Sequence, residues 1–266
     1  MKSPEAVAGK GVRIANLPKR FYNDVAIKDE GRGAASLLLD GKPVRTPAKA
    51  HLALPTCELA EAVAEEWRAQ RDRIDPLTMP LTKLANSAID GVKDREQAVI
   101  ADILKYAGSD LLCYRAEGPK ALVASQAKHW DPVLGWATAA LDAPLALAEG
   151  VVHVGQPKAS LDRIRRALEG LDPFGLAALH VMTTLTGSAL LALAVAKGKL
   201  TPEEAWQAAH VDEDFQISQW GEDAEAAKRR AHRRRDFDAA ARLLQTLPAV
   251  IAGGGDDLGP GSVRNL

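Results

Sequence analysis

The chain predicts an α+β fold, a small N-terminal antiparallel β domain followed by a larger all-helical domain. Three observations carry that expectation. Residues 20–55 hold short runs of aromatic and branched residues broken by prolines, the pattern of short strands. Among them Asp40-Gly41, a favoured two-residue hairpin connection, separates two apolar runs. From Thr56 the apolar residues recur at three- and four-residue steps, the period of helices. The expected boundaries are 1–55 for the β domain, with residues 1–18 flexible, 56–250 for the helical domain, and 251–266 for a disordered tail.

Each element has its own local reason. RFYNDVAI, SLLLDGKPV and HLALP supply the sheet, and Pro43, Pro47 and Pro55 limit strand length. Leu59, Val63, Trp67 and Ile74 mark a first helix; Pro80 opens a second, with Leu81, Leu84, Ala88 and Ile89 inward. A third spans 95–106. LLCYRA at 111–116 is short enough to be a strand or a buried connection. Residues 126–141 read as a helix with Trp130, Val133, Leu134 and Ala137 inward, and Ser160 as the cap of a helix reaching Glu169.

The run 176–196 approaches membrane-span length, but His180 and the hydroxyls of Thr183, Thr184, Thr186 and Ser188 make it a central buried helix. Gly187 and Ser188 would let a neighbouring helix approach closely. Thr201-Pro202-Glu203-Glu204 starts another helix with a capping box. A last helix spans 223–247, with Ala224, Ala227, Ala231, Ala241, Leu244 and Leu247 as its core side.

At 266 residues, 47% hydrophobic and 26% charged, the chain can bury one large core or two unequal ones. A net charge of −1 and a pI near 6.6 argue against a general nucleic-acid or anionic-membrane binder. Cys57 and Cys113 lack CxxC spacing and read as buried small hydrophobes of a reducing compartment, with a single disulfide left open.

Catalytic templates fail in turn. There is no phosphate-binding GxxxxGK[ST], no GxGxxG beyond the Gly31/Gly33 pair, no HExxH and no GxSxG. His180 on an apolar helix reads as a hydrogen-bonded core residue. Asp212, Glu213 and Asp214 are consecutive and point about a third of a turn apart, which is poor geometry for one metal ion. No enzyme activity, metal or cofactor is expected.

The strongest local signal is VDEDFQISQWGEDAE at 211–225, followed at once by KRRAHRRRDFD. Running the Thr201 helix forward places Trp206, Ala209, Glu213, Ile217 and Trp220 on one face. Glu213 is then an acid in an apolar stripe, and needs a basic or amide partner or a second protein. Gly221 ends the helix; Glu222, Asp223 and Glu225 fall in the first turn of the next, where the dipole favours anions. The block is either an internal salt-bridge network or a recognition surface. The arginine run that begins at Arg229 and ends at Arg235 is the alternative site, a nucleic-acid or protein adaptor face, although a solvated ion-paired face explains it too.

In order along residues 20–247, RFYNDVAI, LDGKPVRTPAKAHLALP, AEEWRAQRDRIDPLTMPLTKLANSAID, LLCYRA, QAKHWDPVLGWA and DEDFQISQWGEDAEA resemble the assembly chaperones of F-type ATP synthase that protect the alpha subunit. The resemblance implies a non-enzymatic protein that holds the unassembled alpha subunit until the beta subunit displaces it. It also implies that Glu213, Gln216, Trp220, Glu222, Asp223 and Glu225 contact that partner, with Arg20, Phe21, Trp67, Pro80 and Trp130 mainly structural. A monomer is expected. The first twenty residues lack a transit-peptide pattern, which favours a bacterial cytoplasm over a mitochondrial matrix.

Overall fold

Tight turns at both ends of one strand organise the sheet. β1 (Val25–Gly31) and β2 (Ala34–Leu39) pair antiparallel from Val25↔Leu39 to Gly31↔Ala34, with a register shift between Asp29 and Gly31. At the far end of β2, Asp40 (φ 47°) and Gly41 (φ 75°) both take the left-handed conformation that a two-residue hairpin needs. β3 (Lys42–Pro43) then returns along β2, and β4 (Ala53–Leu54) pairs with the other end of the same strand. The Asp40 carboxylate accepts from the amides of Asn23 and Asp24, locking the turn to the start of β1. The structure, a computed structural model, describes residues 17–150 and 152–248.

Ala35, Leu37 and Leu39 of β2 are buried beneath α1 (Cys57–Arg68), whose Leu59, Ala60, Val63 and Ala64 face them. Thr56 caps α1, and Glu66 of its last turn reaches across to the amides of Leu81 and Thr82 at 2.7 and 2.8 Å. That carboxylate caps α2 (Pro80–Ser87), whose own N-cap, Met79, has no side-chain acceptor. Ile74 lies outside α1, contrary to what the spacing predicts. The helix stops at Arg68, and the Ile74 backbone N–H donates a hydrogen bond to the Pro18 carbonyl.

After α2 a single π turn (Ala88–Val92) leads to α3 (Glu96–Gly108). LLCYRA proves to be both of its alternatives. Leu111–Cys113 is a buried 3₁₀ turn, and β5 (Tyr114–Arg115) pairs in parallel with β6 (Ala148–Glu149). Between those strands runs α4 (Lys120–Leu141), with Trp130, Val133 and Ala137 fully buried and Leu134 half-buried. The Trp130 indole donates to the Ala208 carbonyl at 2.7 Å. α5 (Lys158–Glu169) begins before Ser160, so Ser160 is no cap; its buried hydroxyl donates to the Pro144 carbonyl instead.

The apolar run at 176–196 is two helices rather than one. α6 (Pro173–Thr186) ends at Gly187 (φ 71°), and Ser188 caps α7 (Ala189–Ala196). The break is buried and bonded from outside. Asp110, with no exposed surface, accepts from the Leu190 amide across 80 residues and from Leu112 beside it. Among the described residues, no helix is long and apolar enough to cross a membrane. One cluster of buried side chains runs from Leu37 and Leu54 of the sheet to Leu179 and Leu193 of these helices.

Three helices complete the fold: α8 (Pro202–Ala209), α9 (Val211–Trp220) and α10 (Ala224–Thr246). The core face of α10 is narrower than expected. Phe237, Ala240, Ala241 and Leu243 are buried, but Ala224 and Ala231 are exposed. Cys57 is exposed and Cys113 buried, both free, which corrects the reading of Cys57 as a buried hydrophobe. Residues 1–16 of the segment expected to be flexible, and the tail at 251–266, lie outside the described residues.

Candidate functional site

The two halves of the acid–aromatic block diverge at His210. Thr201 and Glu204 form the full capping box that starts α8, but His210 (φ −117°, ψ 16°) closes that helix, and α9 begins a new one. The stripe of Trp206, Ala209, Glu213, Ile217 and Trp220 is therefore not one packed face. Trp206 is buried, Glu213 and Ile217 are half-buried, and Trp220 is 79% exposed. The chain holds five tryptophans, and Trp220 alone is exposed.

Gly221 (φ 85°, ψ 171°) ends α9 in a conformation an L residue rarely adopts, and turns the chain into α10. Asp223 caps α10, accepting from the Ala226 amide at 2.8 Å. Glu222, Asp223 and Glu225 are all exposed, as is Gln216 on α9. Glu225 pairs with Lys228 at 2.9 Å, and this hydrogen bond holds its carboxyl below the usual glutamate range. The two helices and the exposed turn between them, the hairpin, are linked by the Arg230–Asp214 ion pair. Its tip carries a bare indole beside three carboxylates.

The base of the hairpin is tied down by contacts that the sequence did not reveal. Gln126 of α4 donates to Asp212 at 2.7 Å, and Arg230 of α10 reaches Asp214 at 2.5 Å. His210 is buried and stacked on Trp206 with ring centroids 4.0 Å apart. Its Nδ1 lies 2.8 Å from the Trp206 carbonyl, so Nδ1 donates; Nε2 is left to accept from Arg233 at 3.2 Å. Burial first, and the Arg230 and Arg233 charges second, push this ring below the ordinary histidine value. Glu213 lies 3.8 Å from the same Nε2. Asp212, Glu213 and Asp214 therefore face three different neighbours. Among the described residues no group of three or more His, Cys, Asp or Glu is placed to share a metal ion.

The arginine run is largely engaged internally. Arg233 also donates to the Leu185 carbonyl, and Arg234 pairs with Glu203 and Asp238 while lying 5.3 Å over the Trp206 ring. Arg235 contacts His232. Arg230, Arg233 and Arg234 thus brace the hairpin's base, while Arg229, Arg233 and Arg235 remain exposed. Arg230→Ala is expected to lower global stability by less than about 1 kcal/mol, since Asp214 is half exposed. Amide exchange in 211–220 should nevertheless quicken, measurable by hydrogen–deuterium exchange, because the tie to α10 is gone.

Of the other residues singled out from sequence, Trp130 is fully buried and Arg20 is a clamp on the Gln70 carbonyl at 2.6 Å. Phe21 is 71% exposed, which does not fit a structural role.

The family model described as ATP12 chaperone protein matches residues 19–138, covering the sheet and most of the helices through α4. The hairpin lies beyond that match. A mitochondrial atp12 protein of Schizosaccharomyces pombe is 25% identical over 215 residues, 76% of this chain and 74% of that protein. The crystal structure of Atp12 from Paracoccus denitrificans is 44% identical with a TM-score of 0.80, covering 86% of this chain and 98% of that one. An Agrobacterium tumefaciens protein, Atu1473, solved as a chaperone candidate, is 49% identical with a TM-score of 0.84, covering 93% of both chains. With this identity and coverage, the chain belongs to the ATP12 chaperone family.

Proposed function

We propose that this protein is a non-enzymatic assembly chaperone of F-type ATP synthase, one that holds the unassembled alpha subunit by the α9–α10 hairpin until the beta subunit displaces it. The single observation behind this reading is Trp220, 79% exposed at the end of α9 beside Glu222, Asp223 and Glu225. A large indole left in water is unfavourable for an isolated protein and favourable at an interface, where tryptophans commonly anchor binding. The carboxylates add steering and choice of partner more than affinity. An unassembled ring subunit exposes interfaces that become safe only once covered, and a chaperone lowers the free population by mass action without ATP. A monomer in the bacterial cytoplasm suits that role.

The test is aggregation of purified alpha subunit on dilution from denaturant. Wild-type chaperone should suppress light scattering, and added beta subunit should release the client. Trp220→Ala should weaken protection by about tenfold or more in concentration required. Its melting temperature should stay near wild type, because an exposed side chain contributes little to the fold. Equal protection by Trp220→Ala would remove the hairpin from the client interface.

A further inference from the structure

Burial alone does not hold α9 in place. In this ten-residue helix Val211 is buried and the rest are half-buried or exposed, and a helix that short is marginal without packing. What fixes it is a set of polar ties at its first turn: Gln126 to Asp212, Arg230 to Asp214, and the ring of His210 behind them. Asp214 is exposed, so water competes for the Arg230 tie. The His210 ring is buried, where water does not replace a lost partner. The same residue joins the two helices. Its backbone N–H donates to the Gln207 carbonyl and closes α8, and its carbonyl accepts from the Asp214 amide at 2.8 Å and opens α9.

One nitrogen of Arg233 ties this junction to two other helices. Its Nη2, carried by α10, donates to the Leu185 carbonyl near the end of α6 at 2.9 Å and to His210 Nε2 at 3.2 Å. The second bond exists only while Nε2 is bare. Nδ1 is committed to the Trp206 carbonyl, so an added proton must go to Nε2. That proton turns an acceptor into a donor facing a donor. The carboxylate within reach is then Glu213, whose Oε2 lies 3.8 Å away on α9 itself.

The surrounding charges favour the bare form. Arg230 and Arg233 face the ring from α10, and Arg234 lies 5.3 Å over the Trp206 ring. Glu213 faces it from α9, where Asp214 is already paired with Arg230, and Glu203 of α8 is paired with Arg234. From α6 comes the Leu185 carbonyl. Burial and the two nearest arginines outweigh Glu213 and lower the ring's affinity for a proton.

We propose that neutral His210 is the positioning residue of the client site: its bare Nε2, held toward Arg233, latches the hairpin to α6 and α10, and a proton there swaps Arg233 for Glu213 and releases it. The swap replaces a tie between helices by one inside the first turn of α9, so the hairpin loses its hold on the body. The latch rests on the hairpin reading only for what the hairpin's position serves.

The experiment is amide hydrogen exchange in residues 211–230 of the full chain between about pH 7.5 and 4.5, corrected for intrinsic rates, beside ring-nitrogen NMR of the same protein. At neutral pH Nδ1 should carry the proton and Nε2 should be bare. Acid should quicken exchange by up to about tenfold for each pH unit below about 6.5, because the latched form resists the proton and the released form does not. His210→Gln keeps a neutral acceptor and every carboxylate, Asp110 included, so it should lack this quickening. A histidine that only fills space would give both proteins one pH profile. His210→Leu fills the space without an acceptor; it should exchange several-fold faster than wild type at neutral pH and protect the alpha subunit less well. Equal quickening in wild type and His210→Gln, or a proton on Nε2 at neutral pH, would overturn the proposal. Should His210→Gln not fold, the wild-type titration decides: quickening must share the midpoint of the ring's own titration, and any other midpoint counts against the latch. If His210→Leu frees the hairpin yet protects alpha as wild type does, the latch stands and the client reading of the hairpin falls. If Trp220→Ala loses protection while exchange ignores the state of His210, the client reading stands and the latch falls.

Discussion

Glu222→Lys/Asp223→Lys is expected to abolish protection of the alpha subunit while leaving the chaperone folded. Both residues are exposed at the turn between α9 and α10, so charge reversal buries nothing and removes no core contact. Two local effects must be separated from the loss of the client. Asp223 is the N-cap of α10, and losing its bond to the Ala226 amide costs about 1 kcal/mol. Lysine at a helix N-terminus adds a smaller dipole penalty. Asp223→Asn keeps a capping oxygen without the charge, so it serves as the control. If charge at the tip selects the client, Glu222→Lys/Asp223→Asn should also lose protection, by about tenfold to a hundredfold in the concentration required. Its denaturation midpoint should match wild type.

The largest stability effect is expected at Asp110. This carboxylate has no exposed surface and accepts from the amides of Leu112, Ala189 and Leu190 and from the Ser188 hydroxyl. It therefore closes the 3₁₀ turn at Leu111–Cys113 and the start of α7 together. Asp110→Ala leaves those donors buried and unpaired, a loss of about 3 kcal/mol or more by urea unfolding. Asp110→Asn keeps one acceptor oxygen and should cost roughly half as much.

Burial pushes the Asp110 carboxyl up to about 6, against the pull of its hydrogen bonds. A carboxyl raised on folding binds more protons in the native than in the unfolded state between about pH 4 and 6. Its contribution to stability therefore falls as pH rises through that window and is level above it. Between pH 5 and pH 7 wild type should lose about 1 kcal/mol that Asp110→Asn does not. Comparing the two proteins cancels the other carboxylates. Identical pH slopes in both would mean that Asp110 stays ionised throughout.

What was legible in the sequence was chemistry carried by neighbours in the chain. Asp40-Gly41 dictates its own turn, Thr201 and Glu204 meet three residues apart, and Gly221 stops a helix by itself. The missed features depend on partners far along the chain. Periodicity joins residues 176–196 into one helix, because nothing local announces that Asp110, 80 residues away, satisfies the amide of Leu190 at the break. The apolar spacing from Trp206 to Trp220 is likewise real but is interrupted at His210, whose ring is held by Trp206, Arg233 and Glu213.

The candidate site was legible as a block and not as a shape. Aromatic and acidic residues in 211–225 suggested recognition, yet the same letters would suit an internal brace. The structure divides the block into an engaged part and an outward part. Asp212 and Asp214 are engaged by Gln126 and Arg230, Glu213 sits near His210, and Gln216, Trp220, Glu222, Asp223 and Glu225 remain outward. Spacing could not have made that division, because Gln126 is 86 residues from its partner. The exposure of Trp220 likewise depends on where α9 stops packing.

Acrylamide quenching of Trp220, taken as the difference between wild type and Trp220→Phe, tests the hairpin as client site most directly. In the free protein this indole should quench as an exposed one. With stoichiometric alpha subunit bound, its quenching constant should fall several-fold and its emission should shift to the blue, and added beta subunit should restore both. An alpha subunit that binds and is protected while Trp220 stays fully quenchable would contradict the account.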